Sequence, residues 1–173
     1  MDVGAIFDGL MHYLEAVSSD PVVYSIVFFV YVVLATVILP IPVEVGLFFS
    51  LDAIPFWGKA LIMGLGKAVG AFLVFHIGLK VGDTVKGWST RWGWFNWLVR
   101  GCEWLVAKLG YFGLYLILSI PIMTDTVPLY IFTVFNERGV LEPKWFTLVC
   151  FLSGVTRAMV VYAFFYLLGI KLV

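Results

Sequence analysis

Four long apolar blocks constrain the fold of this chain more than any other feature of its sequence. They cover residues 21–51, 60–79, 109–135 and 145–170, and each is long enough to cross about 30 Å of hydrocarbon as a helix. Of the 173 residues, 62% are hydrophobic and only 13% are charged, which is far from the composition of a soluble domain. The blocks therefore predict an all-α integral membrane protein that forms a single membrane domain.

The first twenty residues are predicted to belong to that domain rather than to a secretory leader. They carry Asp2, Asp8 and Glu15, whereas a leader begins with positive charges. Their apolar residues recur at helical spacing, which predicts a short amphipathic helix at the membrane interface. Asp20 and Pro21 follow in the order of an N-cap and a first helical residue, so the first buried helix is expected to begin there.

Prolines and an acidic residue interrupt the first and third apolar blocks. The phrase LPIP precedes Glu44, and the similar phrase LSIP precedes Asp125. A proline inside a helix removes a hydrogen bond and costs about 3 kcal/mol, and in a bilayer the freed backbone groups must face protein or a water-filled cavity. Segments 40–55 and 119–135 are therefore predicted to be re-entrant or broken helices. The prolines assigned to these breaks are Pro40, Pro42, Pro121 and Pro128.

A long apolar helix with one cation follows each interrupted block. GLGKAVG contains Lys67, and GVTRAMV contains Arg157 at the matching place. Broken helices that recur in both halves of a sequence are typical of secondary transporters, whose site lies between the repeats. We therefore predict an inverted repeat of two units, 21–80 and 109–170, each a re-entrant or broken helix followed by a long transmembrane helix. Chance similarity between apolar helices is the alternative.

The segment between the two predicted repeats, residues 81–108, is rich in tryptophan and basic residues. Its apolar residues step by three and four positions, which predicts an amphipathic helix with its rings at head-group level. This helix would be a membrane anchor or a site for anionic lipid, and the sequence leaves both open.

Glu44, Lys67, Asp125 and Arg157 are charged residues inside apolar blocks. Insertion scales assign about 2.5 to 3.5 kcal/mol to each such charge at the centre of a membrane helix. Because two acids balance two cations, we predict that they pair around a hydrated cavity, and we take them as the candidate substrate-binding or transport residues. In the alternative interpretation, Lys67 extends to the interface and the acids cap the helices that follow the prolines.

Small residues stand beside both cations. Gly66 and Gly70 flank Lys67, and Gly154 precedes Arg157, at a spacing that lets helix backbones approach closely. These glycines are predicted to be helix-packing positions.

Several phrases of the sequence resemble motifs of the DedA family, also called the VTT or SNARE-associated Golgi protein family. PIPVE resembles the first re-entrant motif of the family, and GAFLVFHIGLKVG resembles its glycine-rich helix. SIPIMTDTVPLYIF resembles the second re-entrant loop, and SGVTRAMV the start of the last helix. The chain departs from the family pattern at Ala71, Leu79, Leu118 and Thr124. The resemblance implies the family fold and the movement of lipids across bilayers, including polyprenyl phosphates and phospholipids, with Glu44 as the acid of the first loop.

Three functions are compatible with these features. The first is a flippase or scramblase for an anionic lipid, in a prokaryotic plasma membrane, where Lys67 and Arg157 attract the phosphate. Glu44 and Asp125 would then exchange protons or pair with the cations in the empty site. The second is an exporter of a small soluble solute or ion, and the third is a non-transporting assembly protein whose buried charges serve folding.

Other classes of function find no support in the sequence. It lacks a recognisable nucleophile and base, so that no enzymatic activity is expected. With zero net charge and no basic patch, nucleic acid is not an expected partner. Cys102 and Cys150 stand apart without metal-site spacing, and we expect no metal and no cofactor. Membrane lipids are the expected partners, and a homo-oligomer remains open.

Overall fold

The computed structural model describes residues 20–38, 42–48, 54–89, 108–136 and 141–167, together with positions 9, 12, 104 and 139. Every regular element in these ranges is helical, which confirms the all-α prediction. The elements are α1 (Pro21–Val37), a 3₁₀ helix (Val43–Phe48), α2 (Phe56–Ser89), α3 (Lys108–Ser119), α4 (Thr126–Val134) and α5 (Pro143–Leu167). The predicted amphipathic helix before residue 20 lies outside the described residues, except for positions 9 and 12.

Helix α1 begins where the sequence predicts. The carboxylate of Asp20 accepts hydrogen bonds from the amides of Val22 and Val23, at 2.9 and 3.3 Å, and so satisfies two of the donors that a helix start leaves open. The helix has 17 residues and ends before the prolines. Pro42 then directly precedes the 3₁₀ helix, while Pro40 lies outside the described residues.

The third apolar block is also divided. Helix α3 ends at Ser119, and residues 120–125, with Pro121 among them, separate it from α4. The prediction that Pro128 breaks a helix is wrong, because Pro128 is the third residue of α4. In the first turn the missing proline N–H has no helical acceptor in any case, so the helix accommodates it.

Two helices are long and apolar enough to cross a membrane, judged by length and composition. These spans are Phe56–Gly78 within α2 and Pro143–Leu167. Helix α2 continues to Ser89, past the boundary predicted at residue 80. Most of the predicted interfacial segment 81–108 lies outside the described residues.

Helix α2 packs against α1, α4 and α5, and glycines allow the close approaches. A Cβ placed on Gly66 would lie 2.8 Å from Val32 of α1, and one on Gly70 would lie 2.6 Å from Thr36. A Cβ on Gly154 of α5 would lie 3.0 Å from the Cα of Gly64. The three glycines predicted as packing positions therefore do pack against neighbouring helices.

Helices α2 and α5 run antiparallel. The ring of Phe56 lies 4.4 Å from that of Tyr162, and the ring of Phe75 lies 5.2 Å from that of Phe146, measured between centroids. The first turns of α2 therefore meet the last turns of α5, and the two helices approach each other closely at Gly64 and Gly154.

One side of α2 exposes large apolar side chains at helical spacing. Phe72 is 49% exposed, and the other members of this surface are Leu61, Leu65, Val69, Leu73 and Ile77. A contiguous apolar surface of this kind favours contact with lipid rather than with water.

Candidate functional site

The four charged residues selected from the sequence lie in contact with one another inside the fold. Lys67 and Arg157 have no solvent-exposed surface, and Asp125 and Glu44 are only 2% and 4% exposed. They come from four separate elements: Glu44 from the 3₁₀ helix, Lys67 from α2, Asp125 from the residue before α4, and Arg157 from α5. We refer to these four side chains as the charge cluster.

Arg157 makes the most contacts within the charge cluster. Its Nη1 donates to Asp125 Oδ1 at 2.7 Å, and its Nε forms an ion pair with Glu44 Oε1. Its Nη2 donates to the backbone carbonyl of Met123. The planar guanidinium presents donors in several directions, so that one side chain joins α5 both to the 3₁₀ helix and to the segment before α4.

Lys67 shares Asp125 with Arg157. Its Nζ lies 3.2 Å from Asp125 Oδ2 and also donates to the carbonyl of Leu118 at 3.2 Å. That carbonyl belongs to the last turn of α3, where helical acceptors are left open and the helix dipole is negative. The positive charge of Lys67 therefore compensates both the Asp125 carboxylate and the negative end of the α3 dipole.

Glu44 receives its second contact from the backbone of the other half of the chain. The amide of Ile122 donates to Glu44 Oε1 at 2.9 Å. Among the residues that the structure describes, the buried Glu44 Oε2 has no hydrogen-bond partner. One carboxylate oxygen thus joins the 3₁₀ helix to the segment between α3 and α4, and the other accepts no hydrogen bond from the described residues.

This geometry contradicts the alternative interpretation for Lys67 and for Asp125. Lys67 is fully buried, so it does not extend to an interface. Asp125 stands at the N-cap of α4, yet its side chain makes no capping hydrogen bond and contacts the two cations instead. The predicted pairing of acids and cations is thereby confirmed, whereas the predicted hydrated cavity and the role in transport stay predictions.

Two tyrosines of α1 hold the 3₁₀ helix around Glu44. Tyr31 donates from its hydroxyl to the Pro42 carbonyl at 2.8 Å, and Tyr24 donates to the Gly46 carbonyl. The two carbonyls lie two residues before and two residues after Glu44, so the hydroxyls fix the backbone on both sides of it. Sequence analysis missed both tyrosines, although their spacing of seven places them on one face of a helix.

Helix α4 satisfies the open end of α1. Thr126 donates from its hydroxyl to the Ala35 carbonyl at 2.9 Å, and Tyr130 donates to the Val37 carbonyl at 3.2 Å. These acceptors belong to the last turn of α1, whose carbonyls have no helical partner. The last turns of α1 and α3 therefore both accept hydrogen bonds from side chains of other helices: α1 from Thr126 and Tyr130, and α3 from Lys67.

Sequence analysis also missed a buried cation at the start of α2. Lys59 is 2% exposed. It stands one residue before the second apolar block, 60–79, and a cation at the edge of a block is expected to lie at the surface. Among the described residues, no group of three His, Cys, Asp or Glu side chains could hold a metal ion.

No family model, curated protein or solved structure matches this chain. Its assignment to the DedA family therefore stays a prediction that depends on the motifs quoted above.

Proposed function

We propose that the protein is a membrane transporter of the DedA type, which moves the anionic head group of a phospholipid or a polyprenyl phosphate across the bilayer. The observation that carries the proposal is that Lys67 and Arg157 share one buried carboxylate, Asp125. Two cations that converge on one oxyanion also suit a phosphate group, because phosphate presents several acceptor oxygens to the guanidinium fork.

In the proposed transport cycle, Lys67 and Arg157 exchange their carboxylate partners for the phosphate of the substrate. In the empty state Asp125 and Glu44 neutralise Lys67 and Arg157. A phosphate that takes their place needs the carboxylates to turn away or to be protonated, since four charges and a phosphate together would leave excess negative charge in a buried site. Proton coupling follows from this balance, and the hydrocarbon chain of the lipid stays in the bilayer.

The contact between Gly64 and Gly154 supports the inverted repeat. Gly64 opens the phrase GLGKAVG and Gly154 opens GVTRAMV, so they occupy equivalent places in the two halves. Equivalent residues of two units related by a two-fold axis meet where the axis passes between them. Their close approach, with 3.0 Å between a Cβ on Gly154 and the Gly64 Cα, agrees with an axis that passes between them.

A non-transporting assembly protein is the second candidate, and the complete burial of Lys67 and Arg157 favours it. A charge cluster that is closed off and paired can serve to hold one fold rather than to bind a ligand. The two candidates differ in whether the native chain moves lipid.

Reconstitution into vesicles tests the proposal. We expect the native chain to move a fluorescent phospholipid or a fluorescent polyprenyl phosphate, and Arg157→Lys to lower that rate at least tenfold, because lysine keeps the charge but loses the fork. Lys144→Ala removes an exposed cation from the same helix and serves as the matched control with a native rate. Circular dichroism and thermal unfolding establish that both variants are folded. A native rate in Arg157→Lys, or no transfer by the native chain, would contradict the proposal.

A further inference from the structure

The segment between α3 and α4 exposes apolar side chains beside the charge cluster. We call residues 120–124 the break loop. Within it, Ile122 is 80% exposed, Ile120 is 52% exposed and Met123 is 37% exposed. A loop in water would be expected to turn polar side chains outward instead.

The backbone of the same loop contacts the charge cluster. Ile122 donates its amide to Glu44 at 2.9 Å, and Met123 offers its carbonyl to Arg157. Ile122 and Met123 therefore contact the charge cluster with their backbone and expose apolar side chains on the opposite side. A molecule with a charged end and an apolar end could contact both sides across the thickness of one backbone.

Ile122 is held in a conformation that a β-branched residue rarely adopts. Its φ angle is 68°, in the left-handed region. Such strain persists where neighbouring contacts impose it, and here those contacts come from Glu44 and Arg157. If Glu44 turned away when a phosphate took its place at Arg157, the Ile122 amide would lose its acceptor and the break loop could relax.

We propose that the break loop is a lateral entrance from the bilayer, and that the substrate is a lipid whose anionic head group passes under the loop to Arg157 and Lys67. Its hydrocarbon chain stays against Ile120 and Ile122. This inference rests on the proposed function, and it selects a lipid over a small soluble solute, because a soluble solute gains nothing from an apolar rim. The two cations select an anionic head group, and the exposed isoleucines select a hydrocarbon chain.

A spin label at position 122 tests the location of the loop without measuring activity. Ile122→Cys is prepared with Cys102→Ser and Cys150→Ala, labelled, and placed in vesicles of phosphatidylcholine and phosphatidylglycerol. We expect the label to collide with oxygen, which dissolves in the bilayer, several times more often than with a water-soluble nickel chelate. A label at Lys144→Cys, an exposed cation outside the loop, is the control and should favour the chelate.

Substitution of the loop tests its part in transfer. Ile122→Asn tolerates the left-handed backbone and removes the apolar surface, and we expect it to slow the transfer of a fluorescent phosphatidylglycerol about tenfold. The matched control is Val127→Asn, which changes a residue of α4 that is 55% exposed and lies outside the loop. It is expected to transfer lipid at the native rate.

The outcomes separate the two proposals. Nickel-dominated collisions at position 122, or native transfer by Ile122→Asn, would overturn the lateral entrance and leave the proposed function standing. Absence of lipid transfer by the native chain would overturn both. Oxygen-dominated collisions together with slow transfer in Ile122→Asn alone support the lateral entrance.

Discussion

Arg157 is the side chain that joins most of the site together. It contacts Asp125 and the carbonyl of Met123 in the segment before α4, and also Glu44, which lies about eighty residues earlier in the chain. Loss of one member of a buried ion pair costs about 3 to 5 kcal/mol, chiefly because it leaves a charge without compensation. The free energy of unfolding is therefore expected to depend on the balance of charge in the cluster more than on any single contact.

A double-mutant cycle at Lys67 and Glu44 measures that balance. Lys67→Met leaves the cluster with one excess negative charge, and Glu44→Gln leaves it with one excess positive charge, whereas the double variant keeps the neutral pair of Arg157 and Asp125. We expect each single variant to lower the free energy of unfolding by about 3 to 5 kcal/mol. The double variant should lose at least 1 kcal/mol less than the sum of the two, which is a coupling typical of residues in one network.

The measurement is chemical or thermal unfolding in a mild detergent, with the four proteins compared under the same conditions. Asp20→Asn is the control, because it removes an exposed charge and keeps a side chain that caps α1. Strict additivity of the two single variants would contradict a shared charge cluster.

The sequence predicts that these charges pair but not which atoms meet. Four charges inside apolar blocks must find partners, because leaving all of them alone would cost about 10 kcal/mol. That argument does not distinguish Asp125 shared by both cations from two separate pairs. The choice depends on the rotation of α2 and α5 about their axes and on the backbone of residues 120–125, which apolar periodicity leaves undetermined.

At the scale of elements, the crossing of α2 and α5 depends on the absence of a side chain at residue 154. Gly154→Ala would place its Cβ 2.9 Å from Lys67 Cδ and 3.0 Å from Gly64 Cα, so the helices must separate or Lys67 must move away from Asp125. We expect a loss of about 1 to 3 kcal/mol in the free energy of unfolding, as for other overpacked interiors. Lipid transfer should fall with it, because Lys67 belongs to the charge cluster.

Unfolding of Gly154→Ala in detergent is compared with Val160→Ala, which changes a position of α5 that is 42% exposed. Val160→Ala is expected to stay within about 0.5 kcal/mol of the native chain. Equal stability of the two variants would mean that the helices do not approach closely at Gly154.

The hydroxyl of Thr126 has an equally local role at the end of α1. Thr126→Ala removes the donor to the Ala35 carbonyl, and we expect a loss of about 0.5 to 1.5 kcal/mol. Thr126→Ser keeps the hydroxyl and is the matched control, with less than half of that loss. Amide hydrogen exchange in the last turn of α1 should rise in Thr126→Ala and not in Thr126→Ser.

Starts of helices were easier to predict than the meaning of each proline. Asp20 and Pro21 have the order of a cap and a first turn, and α1 begins there. Pro128 has the same residue type as Pro121 but falls inside the first turn of α4, where it is harmless. To tell a harmless proline from one that ends a helix, the start of the helix must be known. Asp125 is the N-cap of α4, but its side chain contacts Arg157 and Lys67 and makes no capping hydrogen bond, so the residue did not identify the helix start.

At the scale of the whole molecule, each half of the chain supplies ion-pair and hydrogen-bond partners for buried groups of the other half. Glu44 of the first half contacts Arg157 and the Ile122 amide of the second. Lys67 of the first half contacts Asp125 and the Leu118 carbonyl of the second, and Thr126 donates to Ala35 of the first. Among the contacts that the charge cluster makes with described residues, only those of Arg157 with Asp125 and Met123 lie within one half.

Division of the chain between residues 100 and 101 tests this mutual dependence. Residues 1–100 alone would bury Glu44 and Lys67 without the partners that they have in the whole protein, at about 2.5 to 3.5 kcal/mol for each charge. We expect either half expressed alone to be degraded or aggregated, and the two halves expressed together to co-purify in detergent through a tag on one of them. Co-purification should weaken when the half with Arg157 carries Arg157→Ala, and it should persist when that half carries Lys144→Ala. Stable, monodisperse halves that do not associate would show that the charges are compensated within each unit, because a half that folds alone cannot depend on the other for its ion pairs.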